Sequence, residues 1–466
     1  MSVAATGEQY LSDQTKSHPP GLYMLFTTEM WERMSYYGMR ALLTLYMAAA
    51  TTAGGFGWSQ KETLQIYGIY TGLVYVTPLL GGWVADRYWG QRKAVIVGGT
   101  LMMIGHFLMA VPGKVAFFSA LGFLILGNGF FKPNISTMVG GLYRPGDARR
   151  DGAFTIFYMG INLGALLGGL ICGYLGEVVG WHWGFASAGV GMGLGLIGFL
   201  VLQKRMLGEH VGMAPKPRVA KDEGPREPLS KQEISRILVI LILAVFVMTF
   251  WAAFEQAGGL LNLYAKNKVD RTLGGWEVPA TQFQNLNPLF IFMLGPIFSM
   301  IWTYLGRTGK DPSIPVKMAM GILFCAAGFV VMLGAAKITD GGGKAGMWWL
   351  VGTYFLHTVG ELCLSPVGLS MVTKLAPVRY VSLLMGCWFL IGNAFANYLA
   401  GYIGGFAEEL GEYQIFGGLV VVLTVAAVLL LVLSPVLKKM MHGADAINHE
   451  APTKKQALGN ATAEAA

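Results

Sequence analysis

The chain has 466 residues, of which 54% are hydrophobic and only 13% charged, with a net charge of +8. A soluble globular chain carries about 25% charged residues, so this composition excludes a soluble enzyme or binding module and describes an all-α polytopic membrane protein. No basic stripe interleaved with aromatics occurs in a soluble segment, so the positive excess is read as a topology signal and no nucleic-acid partner is expected.

The first twenty residues are polar and lack a basic-then-apolar leader, which makes the first span the expected insertion signal. Twelve apolar spans follow, at 22–50, 62–85, 94–112, 115–138, 153–176, 183–203, 237–264, 282–305, 316–336, 346–373, 380–404 and 413–437. Each is expected to be helical, because a chain crossing hydrocarbon must satisfy its own backbone.

Span 1 carries Glu29, Glu32, Arg33 and Arg40, each costly in lipid unless paired or wet. At 100° per residue Glu29, Arg33, Tyr36 and Arg40 fall on one stripe, flanked by Glu32 and Tyr37. That stripe must face a watery cavity or an opposite charge. Between spans 2 and 3 lies Gly82-x-x-x-Asp86-Arg87-x-x-Gly90-x-Arg92, which resembles the signature loop of the major facilitator superfamily. Asp86 and Arg87 end a helix there and could pair with a neighbouring bundle, so they and Arg92 are expected to gate a conformation. Span 4 holds Lys132, followed by Pro133, which is expected to break or bend the helix. Asn162 lies in span 5.

The segment 204–236 is rich in proline and charge and divides six spans from six. The expected organisation is a cytoplasmic N-terminal tail at 1–21, a six-helix bundle at 22–203, a cytoplasmic linker at 204–236, a second bundle at 237–440 and a disordered cytoplasmic tail at 441–466. Two such halves suggest parallel repeats about an axis along the membrane normal. In the second half, Trp251 and Glu255 form an i,i+4 pair in span 7, Asn287 precedes Pro288 in span 8, Glu361 sits mid-span 10 and Trp388 lies in span 11.

Lysines and arginines concentrate in the connections 2–3, 4–5, 6–7, 8–9 and 10–11 and after span 12, which places both termini in the cytoplasm and the chain in the plasma (inner) membrane. The 7–8 connection, with Lys266, Lys268 and Arg271, departs from that pattern. Arg40 and Lys132 belong to the first half, Glu255 and Glu361 to the second. A cavity between the halves would be cationic on one wall and anionic on the other, which suits a zwitterion. Tyr36, Tyr75, Asn162 and Asn287 could hydrogen-bond a peptide-like backbone, and Trp251 and Trp388 could wall side-chain pockets.

Several of these segments resemble motifs of the proton-dependent oligopeptide transporter family. They are Glu29-x-x-Glu32-Arg33 with Tyr36, Tyr37 and Arg40; Phe130-Phe131-Lys132-Pro133-Asn134; Phe157-Tyr158-x-x-Ile161-Asn162-x-Gly164; and Gly360-Glu361-x-x-x-Ser365-Pro366-x-Gly368. The resemblance implies a major facilitator fold of twelve transmembrane helices in two six-helix bundles around a central cavity. It also implies import of di- and tripeptides with protons by alternating access. Carried over, Arg40 and Lys132 would hold the peptide carboxylate, and Glu361 with Asn287 its amine. Tyr36, Tyr37, Tyr75, Asn162, Trp251 and Trp388 would line the pocket, and Glu29, Glu32, Arg33 and Glu255 would couple protons. The partners would be peptides, protons and the bilayer, with no cofactor beyond the coupling proton and a monomeric protein. The chain lacks the two extra helices that bacterial members commonly carry between the halves. The alternative is a symporter of the same fold for a peptide-like drug or nitrate, although Glu361 gives a small anion no use.

No enzyme is indicated. Gly341-Gly342-Gly343-Lys344 is followed by Ala345 and is no phosphate loop. Cys172, Cys325, Cys363 and Cys387 stand singly, and His106, His182 and His357 have no metal-ligand spacing, so neither disulfides nor metal are expected.

Overall fold

The computed structural model describes residues 17–144, 147, 149–208, 210–213 and 228–444. Most of the expected N-terminal tail, the middle of the 204–236 linker and the tail beyond 444 lie outside the described residues.

Helix α1 (Pro20–Ala48) starts on a proline, whose fixed φ suits the first turn and whose missing N–H is not needed there. A capping box between Ser59 and Glu62 starts α2 (Gln60–Val84), which ends through a π-helical turn, Ala85–Trp89, at Gly90 with φ +74°. Then come α3 (Gln91–Met109), α4 (Lys114–Gly141) and α5 (Arg149–Gly168), the last extended by π-helical turns Gly169–Gly173 and Leu175–Val179. After α6 (Trp181–Leu207), a second capping box, Ser230 with Glu233, opens α7 (Lys231–Phe254). A 3-10 turn, Glu255–Ala257, leads to α8 (Leu260–Lys268), and another, Ala280–Asn285, precedes α9 (Leu286–Arg307). The rest is α10 (Ile314–Asp340), α11 (Trp348–Leu375), α12 (Val381–Phe389), a π-helical segment Leu390–Phe395, α13 (Ala396–Gly405), the short α14 (Ala407–Leu410) and α15 (Glu412–Met440).

Eleven helical runs among the described residues are long and apolar enough to cross a bilayer. The one expected span not among them is the first, α1, whose 29 residues would suffice in length but whose four ionisable side chains depress its apolarity. The expected seventh span is interrupted at Gly258 and Gly259. Proline 133 does not break α4, which runs continuously to Gly141. Asn134 Nδ2 there donates to the Phe130 carbonyl at 2.7 Å, and α2 lies against Gly129 so closely that a Cβ on Gly81 would sit 2.0 Å from its oxygen. A neighbouring helix thus supports the backbone where the proline weakens it.

Two apolar cores organise these helices. One draws on α1 to α6, the other on α7 to α15 with Leu45 and Leu64 reaching in from the first. The lobes meet tightly at the end away from the basic connections. There α2 crosses α13 at Gly68 and Gly401, where a Cβ on Gly401 would lie 2.3 Å from the Leu64 carbonyl oxygen. Only a residue without a side chain permits that approach. Lys61 adds bonds to Glu408 and Glu409, and Glu177 accepts from Thr281 and Lys266.

The connection between α8 and α9 carries three short strands: β1 (Val269–Asp270) lies parallel to β4 (Ala345–Gly346) of the connection between α10 and α11, and β2 (Thr272–Leu273) antiparallel to β3 (Trp276–Glu277). It also explains the break in the charge pattern. Lys266 pairs with Glu177 and the buried Arg271 with Glu277, so two of the three basic residues are compensated locally.

Candidate transport cavity

A cavity of about 300 Å³ lies between the lobes. Its N-terminal wall includes Tyr37, Arg40, Tyr75, Lys132, Tyr158 and Asn162; its C-terminal wall includes Trp251, Glu255, Asn287, Tyr354 and Glu361. Both halves of the expected charge division therefore face one space, at a volume at the small end for ligand sites.

Helix α1 supplies two ionic groups. Arg33 Nε is 3.1 Å from Glu29 Oε1 and donates also to Glu32 Oε2, and all three side chains are buried. Two carboxylates thus share one guanidinium, while Glu29 Oε2 and Glu32 Oε1 have no donor among the described residues. Two turns on, Arg40 spans the lobes: Nη2 donates to Glu255 Oε2 and Nε to the Tyr67 hydroxyl at 2.7 Å. Glu255 is held there because α7 stops one residue earlier and the chain turns. That turn is tied to both lobes. Thr44 Oγ1 donates to the Gly258 carbonyl at 3.2 Å, Asn262 Nδ2 to the Ala41 carbonyl at 2.8 Å, Gln256 Nε2 to the Ala400 carbonyl at 2.9 Å and the Tyr354 hydroxyl to the Ala257 carbonyl at 3.3 Å.

Lys132 makes no ion pair among the described residues; its ammonium sits 4.3 Å from the centre of the Tyr75 ring, a cation–π contact that leaves its charge toward the cavity. Opposite, Glu361 Oε2 accepts from Asn287 Nδ2 at 2.8 Å, and the same amide nitrogen donates to Thr358 at 3.1 Å. Pro288, next to Asn287, is buried in the first turn of α9.

Two residues expected on the pocket wall are elsewhere. Tyr36 is buried inside the N-terminal lobe against Tyr37, and Trp388 packs behind α11, 2.6 Å from where a Gly368 Cβ would be. Phe389, its neighbour, reaches the cavity instead. The expected gate residues also behave locally. Asp86 accepts from Gln91, Arg87 lies over Trp83, and the buried Arg92 donates to the Val211 and Gly208 carbonyls beyond α6. None of those contacts reaches the second lobe; Gly208 and Val211 lie early in the 204–236 segment, where Val211 still packs into the first core. Sequence reasoning missed Tyr67, Gln284, Asn285, Tyr354 and Asn393. Tyr67 lies in the apolar middle of α2, more than a turn from the helix's only charges at Lys61 and Glu62, so only the fold could identify it as the partner of Arg40.

Paired lobes around a charge-lined space define a class: a multi-pass membrane carrier of the major facilitator type, not an enzyme. Comparison with known proteins makes this specific. The family model for the POT family matches residues 92–221 and 224–416. A peptide transporter of Yersinia enterocolitica is 38% identical, covering 91% of this chain and 95% of its own. A di-/tripeptide transporter of Lactococcus lactis subsp. cremoris is 35% identical, over 91% and 96% of the two chains. A crystal structure of a peptide transporter POT in complex with sulfate superposes with a TM-score of 0.86 at 37% identity, covering 93% and 98% of the chains. A Glu-to-Gln variant in complex with alafosfalin matches equally well. The chain belongs to the POT family.

Proposed function

We propose that this protein is a proton-coupled symporter that carries di- and tripeptides by alternating access. The observation that carries the reading is the cavity's polarity: Arg40 and Lys132 on one lobe face Glu361 on the other across one small space. A peptide's carboxylate would meet the two cations and its ammonium would meet Glu361, with Asn287 orienting that carboxylate. Asn162, Tyr75 and Tyr158 are placed to bond its backbone, and Trp251 and Phe254 to wall its side chains.

Charge arithmetic supports a proton. Glu29, Glu32, Glu255 and Glu361 supply four carboxylates; Arg33, Arg40 and Lys132 supply three cations. A set enclosed in the membrane interior with one negative charge in excess is most cheaply neutralised by one proton. Glu29 and Glu32 compete for Arg33, and Glu255 bridges the lobes through Arg40. Protonating Glu255 weakens that bridge, which ties lobe separation to proton occupancy.

The proposed division is into bundles at 22–203 and 237–440 joined by 204–236; the two cores support a division into halves, with Leu207 and Val211 extending the first core and Met441 and Ala444 the second beyond those bounds. Both termini are proposed to be cytoplasmic, so the tightly closed end would face outward. The protein is proposed to act as a monomer in the plasma (inner) membrane. The relatives' names support the substrate class, and a POT family structure in complex with 5-aminolevulinic acid supports a second reading in which a small molecule bearing both amine and acid is also carried.

Uptake of labelled dialanine into proteoliposomes, with and without an inward proton gradient, tests the reading. Gradient-dependent accumulation that tripeptides compete and single amino acids or nitrate do not is expected. Accumulation indifferent to the gradient, or competition by nitrate alone, would reject it.

A further inference from the structure

A second recess, of about 400 Å³, opens in the C-terminal lobe at the end that carries the basic connections. It shares no lining residue with the central cavity. Its wall includes Trp302 of α9, Asp311 of the following connection, Lys317 near the start of α10, Ser370 and Lys374 of α11, and Lys438 of α15. Lys317 is accounted for: its ammonium is 2.7 Å from Asp311 Oδ1 and 4.6 Å from the centre of the Trp302 ring. Lys374 and Lys438 have no carboxylate partner among the described residues, and Asp311 is the recess's only acidic lining residue. Three lysines against one aspartate leave an excess of two positive charges. The indole N–H of Trp302 is also without an acceptor among the described residues.

The helices that flank the recess are apolar and outward-facing. Met300, Ile301 and Tyr304 on α9 are exposed, as are Val432 and Val436 on α15. A cationic hollow at a bundle's end, approached along bare apolar helices, combines two chemistries in one place: a hollow for a phosphate and a surface for acyl chains. A small soluble anion would make no use of the second.

We infer that this recess binds the phosphodiester of an anionic phospholipid, with Lys374 and Lys438 supplying the counter-charge and Ser370 a hydroxyl donor. The salt bridge from Asp311 keeps Lys317 as part of the wall. Bound there, the lipid spans α9, α10, α11 and α15 and braces α9, of which only Pro288 and Ile291 are buried. The orientation proposed above decides only which leaflet supplies the lipid.

Native mass spectrometry of the purified full-length protein in detergent tests this, with phosphatidylglycerol, phosphatidylcholine of the same acyl chains, and inorganic phosphate as probes. The protein is expected to retain phosphatidylglycerol in preference to phosphatidylcholine. In Lys374→Gln/Lys438→Gln that retention falls about thirtyfold, at roughly fivefold per surface lysine. Lys374→Arg/Lys438→Arg restores it, and dialanine affinity stays at the wild-type value in both. Equal retention of the two lipids, or undiminished phosphatidylglycerol binding in the glutamine variant, overturns the site. Inorganic phosphate binding as tightly as the lipid overturns the lipid in favour of a soluble anion. None of these results bears on peptide uptake, so this site and the transport reading fail separately.

Discussion

Helices α1 and α9 invert the usual relation between polarity and burial. Twenty-one of the 29 residues of α1 are buried, including Glu29, Glu32, Arg33 and Arg40. Only two of the 22 residues of α9 are buried, although its interior is almost wholly apolar. In water a charged helix would lie outside and an apolar one inside. In a membrane the lipid takes the apolar surface, and ionisable side chains are left to collect along the axis, where they pair or meet substrate. Charge in this protein therefore marks the inside.

That contrast can be broken at α1 with the largest expected effect. Arg33→Met removes the one cation between Glu29 and Glu32 and leaves two buried carboxylates together. A loss of about 3–5 kcal/mol of stability is expected, the usual cost of orphaning a buried charge. Thermal unfolding in detergent measures it; a variant within about 1 kcal/mol of the wild type would mean the cluster is wet and loosely held. Next comes Glu255→Gln, which weakens the bridge to Arg40 and deletes its titratable group. Gradient-driven accumulation is expected to vanish while exchange of labelled for unlabelled peptide persists. Full gradient-driven uptake in that variant would remove Glu255 from proton coupling.

Much of α1's role is legible in the sequence, because a charge in a span is conspicuous whatever surrounds it. Arg40, Lys132, Glu255 and Glu361 announce themselves, and the fold brings all four to one cavity. What the sequence hides are the neutral partners. Tyr67 and Tyr354 look like ordinary aromatics, and their partners, Arg40 and the Ala257 carbonyl, are set by helix rotation, which a few degrees decide. Tyr36 and Trp388 illustrate the same point in reverse: each lies beside a residue that lines the cavity but faces 100° away from it. The interruption of the seventh span at Gly258 and Gly259 was equally invisible, since two glycines in an apolar run also fit close helix packing. Pro133, the more obvious breaker, leaves α4 continuous because α2 and Asn134 support it.

The two poles of the cavity offer a smaller break. Lys132→Ala and Glu361→Ala each remove one charge-assisted contact to the peptide, worth about 1.5–3 kcal/mol or roughly ten- to a hundredfold in affinity. The substrate separates them. A peptide with a blocked N-terminus is expected to lose nothing further in Glu361→Ala, and one with an amidated C-terminus nothing further in Lys132→Ala. Calorimetric titration reads both, and an unchanged dialanine affinity in the two variants would dissolve the two-pole site.

The mildest test belongs to α9 and sharpens the contrast from the other side. Met300 is 64% exposed on the outward face of α9, so truncating it to alanine opens no internal cavity. In detergent the variant is expected to unfold within about 0.5 kcal/mol of the wild type, as surface substitutions do. A cost of several kcal/mol would show that Met300 is covered by protein in solution. The apolar face of α9 would then be an interface between copies and not a lipid-facing surface, and its low burial would cease to be the counterpart of the buried charges on α1.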